Sequence, residues 1–219
     1  MSAARRGIPF LVAAPSGTGK TTVCRAVMER DEGLRFSVSH TTRKPRGGER
    51  EGVDYTFVDA SEFRQLVDAE AFLEHAEYAG NLYGTSWDAL EGPIADGHDL
   101  LVEIEVRGAG QVRERREDVY FIFLLPPSME ELERRLRDRG TDSEEVIQKR
   151  LAEASNELAA ADIFDFAVVN DDLENAVDAV LTVIREVRAG RADSLEARFG
   201  REAVLQRWRR GADPHVGEA

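Results

Sequence analysis

The chain has 219 residues, with 42 acidic against 29 basic side chains, a formal net charge of −13 and one cysteine. That length can bury a single core without covalent staples, and the negative balance excludes a surface that grips nucleic acid through its phosphates, because that mode needs a basic face. Cys24 has no partner for an internal disulfide, which fits a reduced, cytoplasmic setting, and no apolar stretch reaches the length of a membrane span, so no membrane partner is expected.

In chain order, Arg5 and Arg6 precede an apolar run at 8–13 that is too short for a signal peptide and leads straight into a glycine-rich loop. It reads as a buried strand. Further runs of strand length lie at 100–106, 120–125 and 166–169, separated by segments of helical period. Strands with so few polar residues are buried on both faces, as in a parallel sheet between layers of helices, which makes the core α/β and three-layered. Ser128 with Glu131 and Thr141 with Glu144 read as capping boxes, and Asp172 can cap a helix through Val177, Val180, Leu181 and Ile184. From 37 to about 90 the pattern changes to short strands and turns punctuated by Gly47-Gly48, Gly52 and Gly80-Asn81, as expected of an insertion into the core. Beyond 190, Leu195, Phe199, Val204, Leu205 and Trp208 form an apolar stripe interrupted at Gly200; such a tail extension, 191–219, packs more often on its own domain than on a partner.

Ala14-Pro15-Ser16-Gly17-Thr18-Gly19-Lys20-Thr21 falls between a predicted strand and a predicted helix, the context a nucleotide phosphate loop requires. Gly17 and Gly19 let backbone N–H groups turn inward, and the helix starting near Lys20 adds its positive end. Ser16 and Thr18 complete the loop, Lys20 can reach the β and γ phosphates of ATP, the Thr21 hydroxyl can complete a magnesium shell, and Thr22 adds a donor. Ala14 stands where the usual motif has its first glycine. The bland alternative, an exposed Gly/Ser turn, does not explain the strand before and the helix after.

The segment 128–139 carries Arg134, Arg135, Arg137 and Arg139, with Arg135 and Arg139 four apart and therefore on one helix face; Arg150 follows on the next helix, and Gly140 supplies a joint between them. Forked guanidinium groups neutralise charge on a transferred phosphoryl group better than a point charge does, and a mobile basic lid over 128–157 would also exclude water. Taken by itself the charge run is equally a solvated face balanced by Glu130, Glu131 and Glu133. The four histidines show no metal-ligand spacing.

The run from Ser37 to Glu49 (Ser-Val-Ser-His-Thr-Thr-Arg-Lys-Pro-Arg-Gly-Gly-Glu), then Gly52-Val-Asp-Tyr55, Phe72-Leu-Glu-His-Ala, Gly80-Asn-Leu-Tyr-Gly-Thr85, Arg139-Gly-Thr-Asp and Val169-Asn-Asp-Asp, resembles guanylate kinases in order and without a large gap from about 8 to 188. The resemblance implies a guanylate-kinase-like domain, 1–190, with a P-loop core, a mixed α+β GMP-binding insert and a helical lid closing over the substrates ATP and GMP, with Mg²⁺ as cofactor. It implies that Arg43, Arg46, Tyr55 and Tyr83 hold the GMP phosphate, that Glu49 orients the arginines, that Glu74, Ser39 and Thr85 read guanine, and that Lys20, Arg135, Arg139 and Arg150 serve the transfer. Guanine's N1–H and N2–H donors suit a carboxylate and its O6 suits a hydroxyl, whereas adenine would leave Glu74 unpaired. Where the family carries Asp-x-Asp or Glu-x-Asp followed by Val/Met-Gln-Gly, this chain has Glu103-Ile-Glu105-Val-Arg107-Gly108; Glu103 is still expected to accept hydrogen bonds from the base or the arginines. Rival readings are a kinase for AMP, UMP or dTMP and a non-catalytic scaffold module, the latter disfavoured by the complete phosphate loop. Use of dGMP and oligomeric state are not legible.

Overall fold

The computed structural model describes residues 5–78, 80–138, 140 and 142–211. Its central sheet is five-stranded in the order β2 (Leu34–Phe36), β7 (Asp99–Glu103), β1 (Pro9–Ala13), β8 (Tyr120–Leu125), β9 (Phe166–Val169), with every pairing parallel. Strand period sends alternate residues of β1 to opposite faces. Phe10 and Val12 join Val23, Cys24 and Val27 of α1 (Lys20–Arg30) and Val177, Val180 and Ile184 of α7 (Leu173–Arg188). Leu11 and Ala13 face Leu90 and Ile94 of α3 (Trp87–Ala95) and Val112 of α4 (Val106–Arg115). Both faces are dry, which is why the strands carry almost no polar residue. Because the connection out of β1 runs to β2 on one side of it whereas β8 and β9 extend the sheet on the other, the carboxyl ends of β1 and β8 flank a topological switch point, where ligands of open α/β sheets bind.

The insert forms a second sheet, ordered β4 (Thr56–Phe57), β3 (His40–Thr41), β6 (Asn81–Ser86), β5 (Phe72–Tyr78). It also contains a helix, α2 (Ala60–Asp68), which agrees with the mixed α+β insert implied by the resemblance, although the residue pattern there read as short strands and turns. Asp59 caps it through the amides of Ser61 and Glu62, and Phe63 anchors it by stacking on Phe72, with ring centroids 4.6 Å apart. The lid is a helical pair, α5 (Met129–Asp138) and α6 (Glu144–Ala159), with its own small core of Leu132, Leu136, Ile147 and Ala154.

Three local expectations are corrected. The run 100–106 is not one strand: β7 ends at Glu103, Ile104 N–H donates to Val12 O, and α4 starts at Val106. The second lid helix is capped by Ser143, whose hydroxyl accepts from Val146 N–H, two residues beyond the expected cap; Thr141 lies outside the described residues. At Ser128 the hydroxyl accepts from Glu131 N–H, but the Glu131 carboxylate turns to Arg134 and Arg135, so only half of the capping box forms. The Asp172 cap accepts from the amides of Glu174 and Asn175.

After α7, the short helix α8 (Glu196–Phe199) and α9 (Arg201–Arg209) lie against the core: Leu195 and Phe199 enter one core face, Val204 and Leu205 the other, and Trp208 Nε1 donates to Pro126 O at 2.6 Å. Residues 212–219 lie outside the described residues. Among the described residues no helix is long and apolar enough to cross a membrane.

Candidate active site

The loop from Ala14 to Gly19 bridges β1 and α1 at the switch point. Gly17 and Gly19 have φ of 96° and 98°, a left-handed backbone that glycine adopts freely, and they turn the chain around a hollow into which the first turn of α1 opens. The loop is braced from behind. Asn170, at the end of β9, donates from Nδ2 to Thr18 O at 2.6 Å, and Thr18 is fully buried.

Lys20 Nζ donates to Ile104 O at 2.6 Å and to Glu105 Oε1 at 3.0 Å. Burial opposes its charge, but Glu105 and Glu103 outweigh that and hold its pKa above the ordinary value. Lys20 is thus a fixed cation. Thr21 Oγ1 donates to Glu103 Oε1 at 2.5 Å, so Glu103 is engaged by a phosphate-loop hydroxyl rather than by the insert's arginines. Thr21 and Glu103 are hard oxygen donors at one spot, the chemistry a divalent ion prefers. Among the described residues no group of three or more His, Cys, Asp or Glu side chains can hold an ion alone. That pattern fits a metal carried mainly by phosphate oxygens and water.

Across the hollow stands the insert. Glu49 accepts from Arg43 Nη1 and Nη2 at 3.0 and 2.9 Å and from Arg46 N–H at 2.7 Å, which ties the loop 43–49 into one piece. The Glu49 pairing, opposed by burial, holds the Arg43 guanidinium above its ordinary pKa and Glu49 below its own. Arg43 lies over the Tyr55 ring at 5.3 Å, and Tyr55 and Tyr83 meet edge to face at 6.1 Å. Burial, with Glu103 nearby, pushes the Tyr55 phenol up to about 12, so it stays a hydrogen-bond donor. These groups and the phosphate loop line one cavity of about 240 Å³, together with Arg150, which is ion-paired with Asp142 at 3.3 Å.

In the insert's sheet, Glu74 is 3% exposed. Its Oε1 accepts from Thr85 N–H at 3.0 Å and Thr85 Oγ1 at 2.7 Å, and Thr85 Oγ1 lies 3.0 Å from Ser39 Oγ. A register shift between Phe72 and Glu74 sets Glu74 opposite Thr85. Such a bulge re-aims one side chain without breaking the ladder. Burial raises the Glu74 pKa to about 7 against the pull of both Thr85 bonds.

Arg135 takes a different place from Arg150. Its Nη1 and Nη2 donate to Thr18 O and Asn170 O at 3.4 and 3.1 Å, and it lines a neighbouring hollow with Gly17, Thr22 and Leu173 rather than the cavity that holds Lys20. Arg139 lies outside the described residues. Sequence reading missed Glu105 as the partner of Lys20, Asn170 as the brace of the loop, and Glu157 of α6. Glu157 accepts the Ser16 backbone N–H, its Oε2 is buried without a partner, and burial, with Glu105 nearby, pushes it up to about 7. Asn170 falls in a quoted motif, whereas Glu157 is one acid among several on its helix and carries no signal.

The guanylate kinase family model matches residues 6–187. A guanylate kinase of Neisseria gonorrhoeae is 49% identical over 195 residues, 89% of this chain and 95% of that protein. One from Geobacter sulfurreducens is 45% identical over 193 residues, 88% of this chain and 95% of its own length. Among solved structures, the guanylate kinase of Anaplasma phagocytophilum superposes with a TM-score of 0.69 at 35% identity, covering 89% of this chain and 96% of that one.

Proposed function

The chain belongs to the guanylate kinase family, and from that premise we propose how its cavity moves the terminal phosphoryl group of ATP onto GMP. It is an ATP:GMP phosphotransferase that yields ADP and GDP. The observation that carries the residue assignment is that two separate anion grips, the loop with Lys20 and the insert's Arg43, Arg46, Tyr55 and Tyr83, open into one cavity.

In this reading the loop amides of 16–22, with Lys20, hold the ATP phosphates, and GMP enters with its phosphate on Arg43, Arg46, Tyr55 and Tyr83. Glu49 keeps the Arg43 guanidinium in register, since a bidentate partner removes much of the rotamer freedom that binding would otherwise have to freeze, and fixes the Arg46 backbone through its amide. Guanine lies on the Ser39, Glu74 and Thr85 side, where Glu74 accepts from N1–H and N2–H. A GMP phosphate oxygen attacks the γ-phosphorus in line, the bond from that phosphorus to the bridging oxygen breaks, and ADP leaves. The nucleophile is already ionised, so no strong base is needed and catalysis is positioning and charge neutralisation. Thr21 and Glu103 would hold Mg²⁺, which neutralises phosphate charge when bound. Arg150, which lines the same cavity as Lys20, faces the transferred group; the part of Arg139 in the transfer rests on the resemblance alone. Arg135 guards the donor nucleotide from behind the loop, supported by its bonds to Thr18 and Asn170.

A coupled assay of ADP release, run with GMP, dGMP, AMP, UMP and dTMP under magnesium and ATP, tests the reading. GMP is expected to lead every non-guanine acceptor by about 10³-fold or more in kcat/KM. Comparable rates with AMP would remove the base-reading role of Glu74. The single buried thiol of Cys24 fits a cytoplasmic enzyme.

A further inference from the structure

Helix α4 contains two glycines, Gly108 and Gly110, and both weaken it relative to alanine. Their surroundings differ. A Cβ added at Gly110 would meet nothing within 4 Å. At Gly108 it would overlap Glu74 Oε2 and come within 3.0 Å of Glu74 Cδ and 3.6 Å of its Cγ, so that its three nearest neighbours all belong to Glu74. Resting on the reading of Glu74 as the guanine acceptor, we propose that Gly108 is a positioning residue for base specificity: its missing side chain is the space in which the Glu74 carboxylate stands.

The geometry leaves Glu74 little choice. Oε1 is taken by the amide and hydroxyl of Thr85, so the carboxylate plane is pinned on that side and Oε2 faces the first turn of α4. Glu105, at the N-cap of that helix, makes no side-chain capping bond because it is turned to Lys20. The positive end of α4 is therefore open to another carboxylate, and only a residue without a side chain at 108 lets Glu74 approach it. A methyl group there displaces the end of a flexible side chain and not the backbone. The fold tolerates that displacement, whereas a base reader that must meet two donors on guanine does not.

Four variants decide the matter, each measured for kcat and KM with GMP, AMP and ATP and for melting temperature. Gly108→Ala is expected to lower kcat/KM for GMP by about 10- to 100-fold and the GMP-to-AMP ratio by a similar factor, with KM for ATP within about twofold of the parent. Gly110→Ala, which gains the same helix propensity, should melt no lower than the parent and keep its kinetics. Glu74→Asp alone shortens the reader and loses GMP selectivity, and because the shorter acid clears the added methyl, adding Gly108→Ala to it should change the GMP-to-AMP ratio by no more than about twofold. A GMP-to-AMP ratio in Gly108→Ala within about twofold of the parent overturns the proposal, as does a Gly108→Ala penalty on kcat/KM for GMP that is as large in the Glu74→Asp background as in the parent. If Gly108→Ala does not fold while the double variant does, the overlap with Glu74 is the cause and the proposal stands. If neither folds while Gly110→Ala does, position 108 is a packing site only and the proposal falls. Glu74→Gln, run alongside, separates the premise: an unchanged GMP-to-AMP ratio there removes the base-reading role itself.

Discussion

The phosphate loop and the acceptor insert face each other across one cavity, yet the first is made largely of backbone and the second of side chains. In the loop, Gly17 and Gly19 turn amides inward, the first turn of α1 adds its partial charge, and Lys20 is the one cation the loop itself contributes. In the insert, Arg43, Glu49, Tyr55 and Tyr83 hold one another by ion pair and ring contact, and Glu74 is buried on Thr85. Backbone amides recognise any phosphate and cannot tell one base from another. A buried carboxylate with fixed partners can, because a wrong base leaves it unpaired in a dry place. On the proposed reading the donor side is built for charge and the acceptor side for identity.

The largest expected effect comes from the donor side. Lys20→Ala removes the only side-chain cation of the loop and should lower kcat by about 10³-fold or more with little change in melting temperature. Near-normal turnover in the coupled assay would break the comparison, since the amides alone would then suffice. Next comes the acceptor side: Glu49→Gln keeps the shape but removes the charge that fixes Arg43 and the Arg46 amide. KM for GMP is expected to rise about 10-fold while KM for ATP stays within about twofold. Equal changes in both constants would mean that the two grips are not independent.

The smallest effect concerns stability. The folded pKa of Glu74 is raised to about 7, above its ordinary 4.5. The folded state therefore keeps a proton that the unfolded chain has released, and stability falls as pH rises from about 4.5 through about 7. Glu74→Gln removes that dependence, so its unfolding free energy relative to the parent, measured by chemical denaturation, should climb between pH 5 and pH 8 by an amount on the order of 2 kcal/mol. Glu157 contributes in the same direction in both proteins and cancels in the difference. A gap that stays flat with pH would mean that Glu74 is ionised throughout, which would sharpen the contrast with the neutral Tyr55.

The donor side was legible because its chemistry is local in the chain. Strand, glycines, lysine and helix run consecutively from Pro9 to Arg30, and apolar strand runs at Tyr120–Leu125 and Phe166–Val169 coincide with β8 and β9. The insert's phosphate residues were legible as a resemblance, and the Arg43–Glu49 pair spans only six positions. What escaped were contacts between distant segments: Lys20 with Glu105, Asn170 with Thr18, Glu157 with Ser16, and Arg135 turned behind the loop. The helix Ala60–Asp68 escaped for another reason, since Phe63 is its only fully buried residue and one anchor makes no periodic pattern.

By itself, then, the amino-acid order determined the class of fold and the phosphate loop, because hydrophobic period, glycine freedom and helix caps act over a few neighbouring residues, whereas the insert's residues were read only through a resemblance. Tertiary structure alone decided which way Glu74 points, what stands behind it at Gly108, and which acid answers Lys20. Those follow from a one-residue bulge and from the packing of α4 against β5, and register between segments dozens of positions apart is set by the whole core rather than by either segment.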